Sequence, residues 1–308
     1  MSISMSALGR IRHHPTAKII YEWLERQLPP ESTRWLTDKL DQLIVNNIEM
    51  SLYTTFSSVP RRLGKDDLYL TRDDASQADA ICPGWTPRGW SVDQAARTLL
   101  LLELPPKDRD AYGRSLHLLF DNADVNELIA LNQSLPLLPY PELHLRQAIN
   151  GIRSNITAVF NAIALNNPYP TKHFDELSWN QLVLKSLFID SPLHQIQGLD
   201  SRANVTLARM VSDYAHERWA AHRSVNPELW RLVGPFAKGD LVADLERVLK
   251  IDDRAQQEAA ALACAHSPVI EAKCLLEQYP ELHSRIQNGQ LSWDSFVQNR
   301  LSVTLTDA

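Results

Sequence analysis

The sequence predicts an all-α protein. Apolar residues recur at helical spacing over most of its length, no stretch shows the strict alternation of a half-buried strand, and glycine is scarce. Only 10 of the 308 residues are Gly, about 3% against an average near 7%. Glycine builds phosphate loops, tight hairpins and barrel corners, so its shortage argues against a dinucleotide-binding fold and an all-β fold. Proline (18 residues) and Asp/Asn punctuate the chain instead. With 44% hydrophobic and 22% charged residues, wholesale disorder is excluded.

Pro15 opens a first helix, whose stripe Ile19, Ile20, Trp23, Leu24 and Leu28 stops at Pro29-Pro30. A longer helix is expected from Glu31 to Phe56, on Trp35, Leu36, Leu40, Leu43, Ile44, Ile48 and Leu52, with Pro60 ending it. Residues 61–90 lose periodicity and hold Asp66-Asp67, Asp73-Asp74, Pro83-Gly84 and Pro87. They read as a long irregular connection, anchored by Trp85 and Trp90.

From Ser91, an N-cap for Val92 to Glu103, short helices follow with short connections. They are expected at 109–120, 125–135, 143–153, 155–166, 174–189, 202–222, 227–233, 241–249, 254–266, 268–278 and near 291–297. The clearest pair joins an Ala-rich helix (Ala259, Ala260, Ala261, Ala263), across His266-Ser267-Pro268, to Val269, Ile270, Ala272, Leu275 and Leu276. Repeated pairs of this length predict a HEAT/armadillo-like α-solenoid, with an irregular helical bundle as the alternative. The chain reads as a single α-helical domain over 1–308, with N-terminal helices in 1–60, the connection in 61–90 and a repeat stack in 91–308.

The formal charge of −6 gives no reason to expect nucleic acid. Three scattered cysteines form neither a disulfide framework nor a zinc motif and fit a reducing compartment. Cys82 reads as an exposed thiol, Cys264 and Cys274 as small core residues, Gly198 and Gly234 as helix stops. The N-terminus lacks a signal-peptide core, and the longest apolar run, Leu99–Leu102, is far shorter than the ~20 residues of a membrane span. The expected location is the cytoplasm, with peripheral attachment to the cytoplasmic membrane left open.

Candidate binding residues concentrate between Asn155 and Phe236: His173, Asp175, Glu176, Trp179, Asn180, Lys185, Asp200, Arg202, Asp213, His216, Glu217, Trp219, Arg223, Trp230 and Arg231. Asp213, His216 and Glu217 stand at i, i+3, i+4 and share a helix face, and His173, Glu176 and Asn180 are expected to do the same. A carboxylate beside an imidazole can bind a divalent metal or exchange protons. The same residues also suit ordinary ion pairs on a solvated helix, and that reading comes first. Asp-x-x-His-Glu is not HExxH, so Asp213, His216 and Glu217 are weak metal candidates. No catalytic residue is assigned and no cofactor is expected. Lys185, inside an apolar helix, reads as a surface residue, and Trp179, Trp219 and Trp230 suit either a pocket lining or the core. Phosphate-loop, nucleophile-elbow and calcium-loop motifs are absent.

One series of residues resembles the EboA family. It runs through Asn167-Pro168-Tyr169-Pro170, His173-Phe174-Asp175-Glu176, Trp179 to Lys185, Gly198 to Arg202, Leu207 to Met210, Asp213 to Ala221 and Pro227 to Phe236. The resemblance implies a place in the ebo gene cluster, whose other products look like a membrane prenyltransferase, a metal hydrolase, a sugar-phosphate-isomerase-like barrel, a dehydroquinate-synthase-like protein and a phosphatase-like protein. The cluster is associated with moving secondary-metabolite precursors from cytoplasm to periplasm. No catalytic residues carry over. The expectation is a non-catalytic scaffold whose partners are other ebo-cluster proteins and a small metabolite, reaching the inner membrane through a partner. The alternatives are a metal-dependent enzyme acting on a lipid or metabolite intermediate of the same pathway, and a purely structural module.

Overall fold

The computed structural model describes residues 9, 11, 14–45, 48–105 and 108–306. Among these the protein is all-helical, with a lone antiparallel bridge between Asp67 and Ser91 and no strand. It forms two compact units, Met1–Asp175 and Glu176–Ala308. No helix among the described residues is long and apolar enough to cross a membrane.

In the first unit, α1 (Pro15–Gln27) buries Ile20, Trp23 and Leu24. The single helix expected over 31–56 is two, α2 (Pro30–Val45) and α3 (Ile48–Leu63), with Asn46-Asn47 outside the described residues. Pro60 does not end α3, which runs on to Leu63. A helical proline leaves the carbonyl four residues back without its donor. Here that carbonyl is Phe56 O, and Arg97 Nε donates to it at 3.2 Å. Arg97 belongs to α5 (Val92–Leu102), is 1% exposed and pairs with Asp93 at 2.6 Å. A buried cation thus replaces the missing amide and ties α3 to α5. Ser91 caps α5, its N–H donating to Gln94 Oε1.

The expected irregular connection over 61–90 contains a helix, α4 (Arg72–Ile81), started by a capping box between Thr71 and Asp74. It buries little beyond Ala78 and Asp74, so it carries no apolar stripe; the Thr-x-x-Asp spacing is its legible signal. The flanking loops are tied down. Leu68 N donates to Trp90 O at 2.8 Å and Val92 N to Asp66 O at 2.9 Å. Trp85 and Trp90 anchor the segment as expected: Trp85 lies 5.9 Å from Trp23 and 5.8 Å from Trp90, and all three are buried. The unit continues with α6 (Arg109–Asn122), α7 (Val125–Ser134), α8 (Leu145–Arg153), α9 (Thr157–Ala164) and α10 (Tyr169–His173). α5 packs on α1, α3 and α7, and α9 on α7 and α8.

The second unit comprises α11 (Glu176–Phe188), α12 (Val205–Ala220), α13 (Trp230–Val233), α14 (Asp240–Leu249), α15 (Arg254–His266), α16 (Ile270–Glu277), α17 (Pro280–Gln287) and α18 (Trp293–Thr306). α15 packs against α13, α14, α16, α17 and α18. Its alanines make that possible: Ala259, Ala260, Ala261 and Ala263 are fully buried, and small side chains let neighbouring backbones come close. Gly234 is the C-cap of α13, as expected, and opens a 3-10 turn without taking a left-handed conformation; its lack of a side chain serves this packing. Its φ is −47°, and a Cβ there would stand 2.7 Å from Ala263 O and 2.8 Å from Ala263 Cα. The cysteine expectations need two corrections. Cys82 is buried and Cys274 exposed, because Cys82 caps the end of α4 with its Sγ donating to Pro136 O at 3.8 Å, and Cys274 falls on the solvent side of α16.

Candidate functional site

The second unit holds a cleft of about 390 Å³ between α12 and the start of α14. α12 begins at Asn204, whose side chain accepts from Leu207 N at 2.8 Å. Leu207, Ala208, Val211 and Ala215 face the core, which leaves Arg209, Asp213 and His216 on the cleft side. Gly239 turns the chain into α14 with a φ of +57°, a conformation glycine adopts without penalty. Leu245, Val248 and Leu249 of α14 are buried, and Asp244 falls in the same stripe, 6% exposed.

Asp244 is the centre of the site. Its Oδ2 accepts from Ser212 Oγ at 2.5 Å and its Oδ1 from His216 Nε2 at 2.6 Å. Nε2 is therefore the donor nitrogen, and in the neutral ring Nδ1 is the acceptor. The Ser212 hydroxyl donates to the carboxylate, not to the imidazole, so the three do not form a nucleophile–base pair. His216 is also held by packing: its ring lies 5.3 Å from Trp219, which stacks on buried Trp230 at 5.8 Å. The Arg247 guanidinium sits 4.1 Å from the Trp219 ring centre. The cleft carries both signs of charge, Arg209 and Lys238 against Asp213, Asp240 and Asp244. A fixed imidazole among opposed charges suits binding of a polar ligand of mixed charge, and the volume lies within the usual range of ligand pockets.

Of the residues singled out in the sequence, the structure brings Asp213 and His216 to this cleft, with Trp219 adjoining. Glu217 is exposed and does not line it. Trp179 and Trp230 are core residues, each fully buried, so of the two readings the core one holds for them. Trp230 Nε1 donates to Gln256 Oε1 at 3.4 Å. Trp179 Nε1 has no partner among the described residues, and the Arg202 guanidinium covers its ring at 4.8 Å. Arg231 makes a two-pronged pair with Asp200 and lies over Trp293, away from the cleft lining. Asn180 is buried against Asn204. Lys185 is half-buried, and burial pushes its ammonium below the usual range. Arg223, Asp175 and Glu176 are exposed.

The expected face of His173, Glu176 and Asn180 does not form. His173 closes α10, Phe174 is extended at φ −77°, ψ 143°, and Glu176 opens α11. His173 instead packs on Tyr169 at 4.7 Å, and burial lowers its pKa. Among the described residues no three His, Cys, Asp or Glu side chains gather as a metal-holding set.

Arg209, Ser212, Lys238 and Asp244 were not among the residues the sequence singled out. Asp244 has a signal: it is an acid standing in the apolar stripe Leu241, Leu245 and Val248, where burial demands partners. The others carry none, because only packing of α12 against the Phe236–Leu241 turn brings them together.

No curated protein and no solved structure matches the chain. Residues 16–234 match the family described as metabolite traffic protein EboA, and since that span covers most of the sequence, the chain belongs to the EboA family.

Proposed function

We propose that this EboA-family chain acts in metabolite traffic as a non-catalytic helical binding component, holding a secondary-metabolite precursor on its way from cytoplasm to periplasm. The observation that carries the reading is the cleft of mixed charge, in which Asp244 and Trp219 hold His216 in place and no nucleophile is paired with a base. Other ebo-cluster proteins are the partners, and one of them supplies contact with the inner membrane. The chain itself works from the cytoplasmic side. The HEAT-like stacking belongs to the same proposal; its support is the sequential packing of α14 on α15 and α15 on α16.

The test is export of the pathway's metabolite in cells whose own copy is replaced by Asp213→Ala, His216→Ala or Lys238→Ala. Loss of periplasmic product with the variant folded and abundant supports the reading. Full export by all three variants sinks it, and turnover of a pathway intermediate by the purified protein replaces it with an enzyme.

A further inference from the structure

The first unit contains a cleft of about 390 Å³ built wholly from residues 68–89. We propose that it is a second binding site, for a small organic anion with an apolar or aromatic body. Leu70, Ala75 and Pro87 form apolar wall, while Tyr69, Arg72 and Arg88 stand at it with their side chains exposed. No Asp or Glu lines the cleft. Neither the Arg72 nor the Arg88 guanidinium has a hydrogen-bond, ion-pair or ring partner among the described residues, whereas those of Arg26 and Arg109 in the same unit pair with Asp74 and Glu142. Two uncompensated guanidinium groups beside an apolar wall match a ligand with an oxyanion head, which an Arg fork grips through two parallel hydrogen bonds. Arg72 is also the first residue of α4, where the helix adds partial positive charge. Asp73 is next in sequence but does not line the cleft, and Asp74 is buried and engaged by Arg26 and Trp23.

Tyr69 is 76% exposed. A tyrosine left that open offers a face on which a flat apolar body can pack. The frame around it is rigid. Besides the two loop bonds to Trp90 and Asp66, Tyr69 N donates to Gln27 Oε1 at 3.0 Å, Gln27 Nε2 to Asp67 O at 3.3 Å, and Thr86 N to Asn166 O at 3.3 Å. A preformed cleft loses little entropy on binding.

Phosphate esters and carboxylates share the required chemistry, so the probes separate them. Calorimetric titration of the full chain uses phenyl phosphate, benzoate, inorganic phosphate and benzyl alcohol, with phosphatidylglycerol vesicles as a membrane control. Phenyl phosphate or benzoate is expected to bind at least roughly ten-fold tighter than inorganic phosphate or benzyl alcohol, since head and body both contribute. Arg72→Ala and Arg88→Ala each weaken that binding roughly five- to ten-fold. Ala75→Leu fills the wall and abolishes it with every charge in place. Thermal midpoints of the two Arg variants stay at the wild-type value. Equal affinity for inorganic and phenyl phosphate, full binding by the double Arg variant, no binding at millimolar probe, or Arg-dependent binding to the vesicles alone would each overturn the proposal.

Discussion

Asp74→Ala removes one side chain that three parts of the first unit share. The carboxylate accepts from Trp23 Nε1 at 3.0 Å, from Arg26 at 2.6 Å, and from the Thr71 backbone N–H and hydroxyl, both at 2.8 Å. Trp23 is 1% exposed, so its indole N–H would be stranded, at a cost of about 1–3 kcal/mol. Losing the Asp74 half of the capping box leaves the Thr71 N–H without its acceptor, while Thr71 Oγ1 still accepts from the residue-74 N–H, and costs about 1 kcal/mol more. Arg26 is 48% exposed on its side chain and returns to water, so the substitution leaves no cation buried without a partner. A loss of about 3 kcal/mol follows, read by urea unfolding followed by circular dichroism, with hydrogen exchange localising it to α1 and α4. The pH dependence is a second reading of the same network. Burial alone pushes the Asp74 carboxyl up, but the Arg26 and Thr71 hydrogen bonds outweigh it and hold the pKa at about 2, against 3.8 for the free group. A folded pKa below the unfolded one contributes stability that is fully present above pH ~4 and lost as pH falls toward 2. That contribution is about 2 kcal/mol, and about half of it is gone at pH 3. The gap between wild type and Asp74→Ala should therefore narrow by about 1 kcal/mol between pH 5 and pH 3. A gap below about 1 kcal/mol at neutral pH, or one indifferent to acid, would refute the reasoning.

Gly234→Ala should destabilise the second unit by about 1–3 kcal/mol, since its Cβ meets Ala263 backbone that cannot yield; a thermal midpoint equal to wild type would contradict the close approach. Thiol labelling of the native protein should modify Cys274 quickly, and Cys82 and Cys264 only on unfolding. Cys274 is exposed, while burial pushes the Cys264 thiol up to about 12 and raises that of Cys82; fast modification of three thiols would disagree. Asp244→Ala leaves the buried Ser212 hydroxyl without its acceptor and should cost about 1–3 kcal/mol. His216→Ala, exposed on the cleft side, should leave stability within about 0.5 kcal/mol of wild type; equal losses in denaturant unfolding would show that the imidazole is structural.

How much was legible depended on whether the signal was local. Apolar periodicity placed α1, α5 and α15 because each buries a continuous stripe. It missed α4, whose buried residues are few, and it merged α2 and α3 into one expected helix over 31–56. Pro60 shows the limit of a local rule: proline removes one amide, and whether that breaks the helix depends on what can serve the freed carbonyl. Here Arg97, 41 residues away, serves it.

The candidate site divides the same way. Asp213 and His216 share a face because helical geometry fixes i, i+3 neighbours, so the sequence determined that pair. It also determined the all-helical class and, through the residues from Asn167 to Phe236, the EboA resemblance. Only the tertiary structure decided that Trp179 and Trp230 are buried, that Arg231 turns to Asp200, and that His216 is held by Asp244. Burial and partner choice are set by which helices pack together, and residues 28 positions apart leave no periodic trace of their meeting. The glycine shortage read from composition marks a helical chain, but only the structure decided that Gly234 must be glycine, because a Cβ there would stand 2.7 Å from Ala263 O.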